Sequence, residues 1–287
     1  MPVWKISNTR AIDLDRPCVV CILNATPDSF ADGGEHNSVR SAVDRVRQAI
    51  DQGADMVDIG GESTRPGALR VDDGEQIRRV VPIIEAIRGA GLDIPISIDT
   101  TRSGVARVAL GAGADVMNDV SGMTEDLGMF GLAADVGCGV VLMHRLRSSE
   151  LDSYSDRYED EPEYGDVVDE VCGVLGRQRD AAVEAGVLMD RIVLDPGLGF
   201  GKSVEDNLAL IDRTGEIVGL GCLVMSGLSR KSFVGRAVLG RDSEPGERVD
   251  ASVGLSLTHL RAGARVFRVH DVLEHRLALD RVWGELG

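Results

Sequence analysis

Short apolar runs alternate along the chain with longer stretches in which apolar residues recur at three- and four-residue steps. The short runs read as buried strands: Val19–Leu23, Met56–Ile59, Ile96–Ile98, Val116–Asn118, Val140–Met143, Ile192–Leu194, Cys222–Met225 and Val266–Val269. The longer stretches read as amphipathic helices, among them Ser38–Gln52, Glu75–Arg88, Ser103–Leu110, Asp166–Glu184, Val204–Ile217 and Glu247–Arg261. Strand and helix in alternation build βα units around a parallel sheet. Eight alternations favour a closed barrel over an open sheet, so the expected fold is α/β, a single (β/α)8 (TIM) barrel. An internal echo supports the count: Gly53-Ala-Asp-Met-Val-Asp58, Gly113-Ala-Asp-Val-Met-Asn118 and Gly263-Ala-Arg-Val-Phe-Arg268 share one design. Each opens with a glycine placed to end a helix in the left-handed conformation, runs into a strand, and closes on a polar residue. Residues 1–16 precede the first strand and are expected to form a small hairpin that plugs the barrel floor.

Composition narrows the setting. At 287 residues, 43% of them hydrophobic, the chain can bury a full core and lies near the ~250 residues of one barrel. A single domain over residues 1–287, with 1–16 as an N-terminal extension, is the simplest organisation. No apolar run approaches the ~20 residues of a membrane span, and Trp4, Lys5 and Asn8 stand where a signal peptide would need an apolar stretch. The expectation is a soluble cytoplasmic protein. A net charge of −16 repels polyanions and argues against nucleic acid or an anionic membrane surface as partners. Any anion site must be a local exception, and lysine occurs only at Lys5, Lys202 and Lys231. The five cysteines lack the spacing of a disulfide framework. Cys18 and Cys21 form a C-x-x-C, but an odd separation along a strand sends the two side chains to opposite faces, so buried packing is expected.

Reactive groups of a (β/α)8 barrel stand at the C-terminal ends of its strands and on the loops that follow. Here those exits read Asn24, Asp58, Asp99, Asn118, His144, Asp195, Ser229 to Ser232, and Arg268 with His270. Buried polar groups are costly unless paired, so polar residues at nearly every exit point to a site. Singly, each has a plainer explanation. Asp99 could cap the next helix, Asn118-Asp119 could shape a turn, and the glycine-rich Asp195-Pro-Gly-Leu-Gly-Phe-Gly-Lys202 lacks P-loop spacing. Together at one rim they reinforce one another.

Arg268 and His270 are two apart, so both project to one side of the last strand, beside Ser229-Arg-Lys-Ser232. The loops after strands 7 and 8 of barrels commonly hold phosphate, and Lys231, Arg268 and His270 would supply positive charge to such a site. A patch that merely neutralises nearby Asp residues ranks second. Across the mouth, Asp99, Asn118 and Asp195 suit a heterocycle rich in N–H donors. Acceptors at one end and cations at the other fit a polar ring with a phosphate tail.

At this point the chain resembles the dihydropteroate synthases. The likeness rests on Asn24-Ala-Thr-Pro-Asp-Ser-Phe30 with Asp32-Gly-Gly34, Asp58-Ile-Gly-Gly-Glu-Ser-Thr-Arg-Pro-Gly67, Asn118-Asp-Val-Ser-Gly122, Asp195–Lys202, Gly227-Leu-Ser-Arg-Lys-Ser-Phe233 and Arg268-Val-His-Asp271. The resemblance implies a transferase of folate biosynthesis that condenses 6-hydroxymethyl-7,8-dihydropterin pyrophosphate with p-aminobenzoate, giving 7,8-dihydropteroate and pyrophosphate. It implies magnesium (Mg2+) as cofactor and a homodimer as the assembly. By the same resemblance Asp99, Asn118, Asp195, Gly227 and Lys231 would bind the pterin, with Met143 and Phe200 as an apolar wall. Asn24, Arg268 and His270 would hold the pyrophosphate with the metal, Asn24 as its protein ligand. Phe30, Thr64, Arg65, Pro66 and Ser232 would frame p-aminobenzoate. Catalysis would fall to Asp99, Asp195, Lys231, Arg268 and His270.

One stretch departs from the family pattern. After Met143-His144 a short basic-glycine element is usual, whereas this chain reads Arg145-Leu-Arg-Ser-Ser-Glu150 and enters an acidic, tyrosine-bearing loop ending at Gly165. A solvated surface loop on the rim is the expectation. Two other classes share parts of the pattern. A pterin-binding methyltransferase would share the barrel and Asn118–Gly122 but has no use for Thr64-Arg65-Pro66 or Ser229–Phe233. A non-catalytic paralogue could lose a loop while keeping the core, and here the first and second loop motifs are intact.

Overall fold

Strand and helix alternate as the apolar pattern requires. A computed structural model describes residues 3–25, 34–158, 160 and 162–286, with the side chains of 34–38 and 286 left aside. Strands β1 (Val3–Lys5) and β2 (Ala11–Asp13) form an antiparallel hairpin. The closed parallel barrel then runs in sequence order through β3 (Cys18–Asn24), β4 (Met56–Gly60), β5 (Ile96–Asp99), β6 (Val116–Asp119), β7 (Gly139–Met143), β8 (Ile192–Asp195), β9 (Leu223–Ser226) and β10 (Val266–Val269), which pairs back onto β3. Around it stand α1 (Gly34–Asp51), α2 (Asp73–Gly89), α3 (Ser103–Ala112), α4 (Gly128–Val136), α5 (Val167–Glu184), α6 (Val204–Asp212), α7 (Thr214–Val218), α8 (Ser232–Val234), α9 (Val249–Ala262) and α10 (Val272–Leu286). Among the described residues no helix is long and apolar enough to cross a membrane.

The two-residue period of a strand sorts its side chains into two cores. Val19, Cys21, Val57, Ile96, Ile98, Met117, Val140, Leu142, Val224 and Phe267 face outward and pack against the helices. Cys18, Val20, Met56, Val116, Val141, Val193, Met225 and Val266 face inward and pack with Trp4, Ile6, Ile12 and Leu14 of the hairpin. The hairpin is thus the expected floor plug, and the fully buried Trp4 indole donates to Arg191 O at 3.0 Å. Cys18 and Cys21 fall in different cores, and both are free thiols.

Gly53, Gly113 and Gly263, the glycines of the internal echo, have φ of +91°, +117° and +125°. A side chain there would be strained, which is why the motif opens on glycine. The stretch Val204–Ile217, expected as one helix, is two. The helical run breaks at Arg213, and the Thr214 hydroxyl bonds back to Leu210 O and Ile211 O at 2.9 and 2.8 Å, a side-chain bond that competes with continued helix.

Candidate active site at the barrel mouth

Continuing the inward register to the strand ends places Asn24, Asp58, Asp99, Asn118, Met143, Asp195 and Arg268 on one inner surface. The alternation that fills the barrel with valine and methionine therefore ends in a ring of polar groups. Arg268 lies at the centre of it. Its Nε donates to Asp58 Oδ2 at 2.6 Å and its Nη2 to Asp99 Oδ2 at 2.8 Å. Asn118 Nδ2 donates to the same Asp58 oxygen at 3.2 Å. Asp99 is therefore no helix cap; the first turn of α3 is served by Asp126 instead, whose Oδ2 accepts from Ser103 N at 2.8 Å. The turn explanation fits only Asp119, whose Oδ1 accepts from Ser121 N and Oγ, both at 2.7 Å.

The charges do not divide into an acidic end and a basic end. Arg268, expected across the mouth from Asp99, is bonded to it. The plainer alternative, a cation neutralising nearby Asp residues, is what Arg268 does here, because a buried guanidinium and two buried carboxylates are each too costly to leave unpaired. Burial depresses the basicity of Arg268, yet Asp58 and Asp99 more than offset it. Asp99 is pushed up to about 7 by burial, against the pull of Arg268. Asp195 is raised by burial and lowered by Lys231, and its Oδ1 accepts from Gly197 N at 2.7 Å.

His270 needs a second correction. Burial, with Arg268 beside it, holds its pKa down to about 3, so it contributes no positive charge at neutral pH. Its backbone N–H donates to Ser229 Oγ at 3.1 Å and that hydroxyl lies 3.1 Å from Nδ1. A hydroxyl that accepts from the backbone can donate to Nδ1, which places the imidazole proton on Nε2. His270 is a neutral donor. Lys231, half-buried, is pulled down by burial to about 7. Its Nζ donates to Leu198 O and stands 4.2 Å from the centre of the Phe200 ring. Phe200, Met143 and Val120 form a small apolar cluster at this end of the barrel, so the two wall residues do meet. A Cβ at Gly227 would lie 3.2 Å from Asp195 Oδ2. Glycine there lets the carboxylate rest against the end of β9. Ser232 is buried at the start of α8, directly after Lys231.

The loop after β4 carries half-buried Thr64 and Pro66 and exposed Arg65. The Arg65 charge adds a small contribution, after burial and Arg268, to holding the His270 pKa down. Asn24 ends β3, half-buried beside Gly60 of β4. Phe30 lies outside the described residues.

Sequence reasoning missed three things. In sequence Asp58 reads only as a strand exit, not as a partner of Arg268. Lys202, in sequence one more residue of a glycine-rich loop, is fully buried, donating to Phe200 O at 2.9 Å and Gly197 O at 3.0 Å, with His144 Nδ1 at 2.9 Å. Burial lowers His144 to about 2, so its ring is a neutral acceptor. The acidic loop is not simply solvated. Gly201 N donates to Asp152 Oδ2 at 2.9 Å, Tyr164 OH donates to Gly201 O at 2.7 Å, and Gly67 N donates to Ser149 O at 2.8 Å. Those bonds fix it to the loops after β4 and β8.

Residues 20–270 match the family described as pterin binding enzyme. A dihydropteroate synthase of Streptococcus pyogenes is 44% identical over 254 residues, 88% of this chain and 90% of that protein. The fold superposes on a Xanthomonas albilineans dihydropteroate synthase with 4-aminobenzoic acid at a TM-score of 0.88, with 41% identity over 99% of this chain and 98% of that one. A complex of the X. albilineans enzyme with 7,8-dihydropteroate gives 0.84 at 38% identity, over 99% and 98% of the two chains. The chain belongs to the pterin-binding enzyme family, among its dihydropteroate synthases.

Proposed function

We propose that the chain condenses 6-hydroxymethyl-7,8-dihydropterin pyrophosphate with p-aminobenzoate, releasing pyrophosphate and 7,8-dihydropteroate. The observation that carries this reading is the meeting of Asp99, Asn118 and Asp195 with Lys231 and Arg268 beside the Met143–Phe200 wall. The wall offers a face for a flat ring, and the carboxylates accept from its ring N–H groups. Breaking the bond between the pterin methylene and pyrophosphate leaves a cation that the ring delocalises, so negative charge departs at one end while positive charge develops at the other. Asp99 and Asp195 stabilise the positive end. Arg268 and the Nε2 proton of His270 receive the departing phosphate oxygens. Thr64, Arg65, Pro66, Ser232 and Phe30 position the neutral amine, which then needs little more than orientation. No covalent nucleophile is required.

Magnesium keeps most of its waters and prefers phosphate oxygens with one or two protein oxygens. Among the described residues no three His, Cys, Asp or Glu side chains cluster as they would around an all-protein cage, and the Asn24 amide oxygen fits the sparser mode. The ion would supply neutralisation of the diphosphate. The same reading takes the protein as a cytoplasmic homodimer of single-domain chains.

The test is direct. Purified protein with magnesium, the dihydropterin pyrophosphate and p-aminobenzoate should yield dihydropteroate and pyrophosphate in equal amounts. Pyrophosphate release that ignores the amine, or none at all, would instead favour a methyltransferase-like or non-catalytic relative.

A further inference from the structure

The loop between β4 and α2 is fastened at three points. At its neck, Glu62 Oε2 accepts from Val71 N at 2.7 Å and from Gln76 Nε2 at 3.2 Å. On its flank, Arg70 pairs with Glu62 at 3.2 Å and with Glu125, which also takes Arg145 and the Thr101 hydroxyl, the latter at 2.9 Å. At its tip, Gly67 N holds Ser149 O at 2.8 Å. Arg145 opens the stretch where this chain leaves the family pattern, and its side chain is only 7% exposed. Glu125 is held below the usual carboxylate range despite its burial, by Arg70 and Arg145. Partly buried pairs of this kind are screened far less than surface ones. The exits of β4, β6 and β7 are thereby joined through one carboxylate.

We propose that Arg70, Glu125 and Arg145 form a clasp that presets the β4 loop to receive the aromatic amine. This rests on the reading that Thr64, Arg65 and Pro66 frame p-aminobenzoate. None of the three clasp residues touches the pterin-facing groups Asp99, Asn118, Asp195 or Lys231; they are positioning residues. A loop already ordered loses less entropy when its ligand arrives, so preorganisation is returned as affinity. Loss of the clasp therefore falls on binding of the amine and spares the chemical step at saturation.

The experiment uses the full-length chain as Arg145→Met and Glu125→Gln, with Arg145→Lys as the conservative variant. The expected result is a KM for p-aminobenzoate raised about tenfold, with kcat within about twofold and calorimetric affinity for the dihydropterin pyrophosphate unchanged. Arg145→Lys should recover most of the loss, and backbone amides of residues 63–70 should exchange hydrogen faster in Arg145→Met and Glu125→Gln. An unchanged KM for the amine, or equal weakening of both substrates, overturns the clasp. If Glu125→Gln does not fold, the two Arg145 variants carry the test. If the unaltered protein makes no dihydropteroate, the proposed function fails. Amide exchange at 63–70 still decides the clasp in that case, and exchange indifferent to Arg145→Met refutes it.

Discussion

Lys202→Met isolates one buried cation and asks what it does for the wall of the site. Lys202 has no solvent exposure, and methionine keeps most of the stem, so the cavity term is small. What disappears is three bonds, to Gly197 O, Phe200 O and His144 Nδ1. Each stranded buried acceptor costs ~1–3 kcal/mol, or ~3–9 kcal/mol for three. Relief of the ammonium's desolvation returns several kcal/mol of that. The expected net loss at neutral pH is ~2–4 kcal/mol, read from urea midpoints at constant m-value.

The pH dependence sharpens the test. Burial pulls Lys202 from 10.5 to about 7. Between those values the unfolded chain binds a proton that the folded chain does not, so the unaltered protein gains stability as pH rises through the window. The variant lacks that gain. The gap between the two should therefore widen from pH 7 towards pH 9 by ~2–3 kcal/mol, at 1.36 kcal/mol per unit. A constant gap over that range would mean that Lys202 keeps its proton, held by the two carbonyls. A gap below ~1 kcal/mol at pH 7 would mean that the acceptors find other partners. Because Phe200 sits on this loop beneath Lys231, the affinity for the pterin substrate should fall with stability, while that for p-aminobenzoate should not.

Two further substitutions address the charged groups of the mouth. Asp195→Asn and Lys231→Ala should each lower turnover by at least ~100-fold, in the range of a lost electrostatic partner of the transition state, with far-ultraviolet circular dichroism unchanged; a collapsed spectrum would assign them to the fold. Arg268→Met strands Asp58 and Asp99 and should destabilise by ~3–5 kcal/mol at pH 7. Without the guanidinium nothing offsets the burial that raises Asp99, so the folded state takes up a proton there before the unfolded chain does, and stability should return as pH falls from 7 towards 5. Equal losses at both pH values would show that the carboxylates are not left unpaired.

How far the sequence speaks depends on whether the information is local. All eight barrel strands are legible because each is a short run of mostly apolar residues, and the inward parity of Met56 and Val116 continues to Asp58 and Asn118 by arithmetic alone. The floor hairpin and the helix-ending glycines were legible for the same reason. Partners were not. Arg268 and Asp58 are 210 residues apart, and nothing in either neighbourhood records that they meet over β3, between their two strands. Lys202 gave no hint of burial because a lysine in a glycine-rich loop is ordinarily solvated. The acidic loop misled because its anchors are largely backbone groups, at Gly67 and Gly201, and backbone acceptors and donors have no residue type to read. In sequence His270 reads as a cation because its neutrality depends on burial, which a sequence does not state.

The pairing of Arg268 changes what an anion site means in this strongly acidic chain. With Asp58 and Asp99 already on the guanidinium and His270 neutral, neither cation expected from β10 is free to draw in phosphate by field alone. A bare diphosphate taken by Arg268 would have to break its buried pair with Asp99 and leave that carboxylate stranded, which is the costly half of any such exchange. A ligand that brings ring N–H donors together with the diphosphate avoids that cost, since the ring satisfies Asp99 as Arg268 turns to the phosphate oxygens. On the proposed reading, selectivity for a pterin joined to its pyrophosphate follows from the salt bridge between the two halves of the site. The same bridge explains why Asp58, which needs no contact with substrate, is as fixed a part of the mouth as Asp99: it keeps the guanidinium in place while its second partner is exchanged.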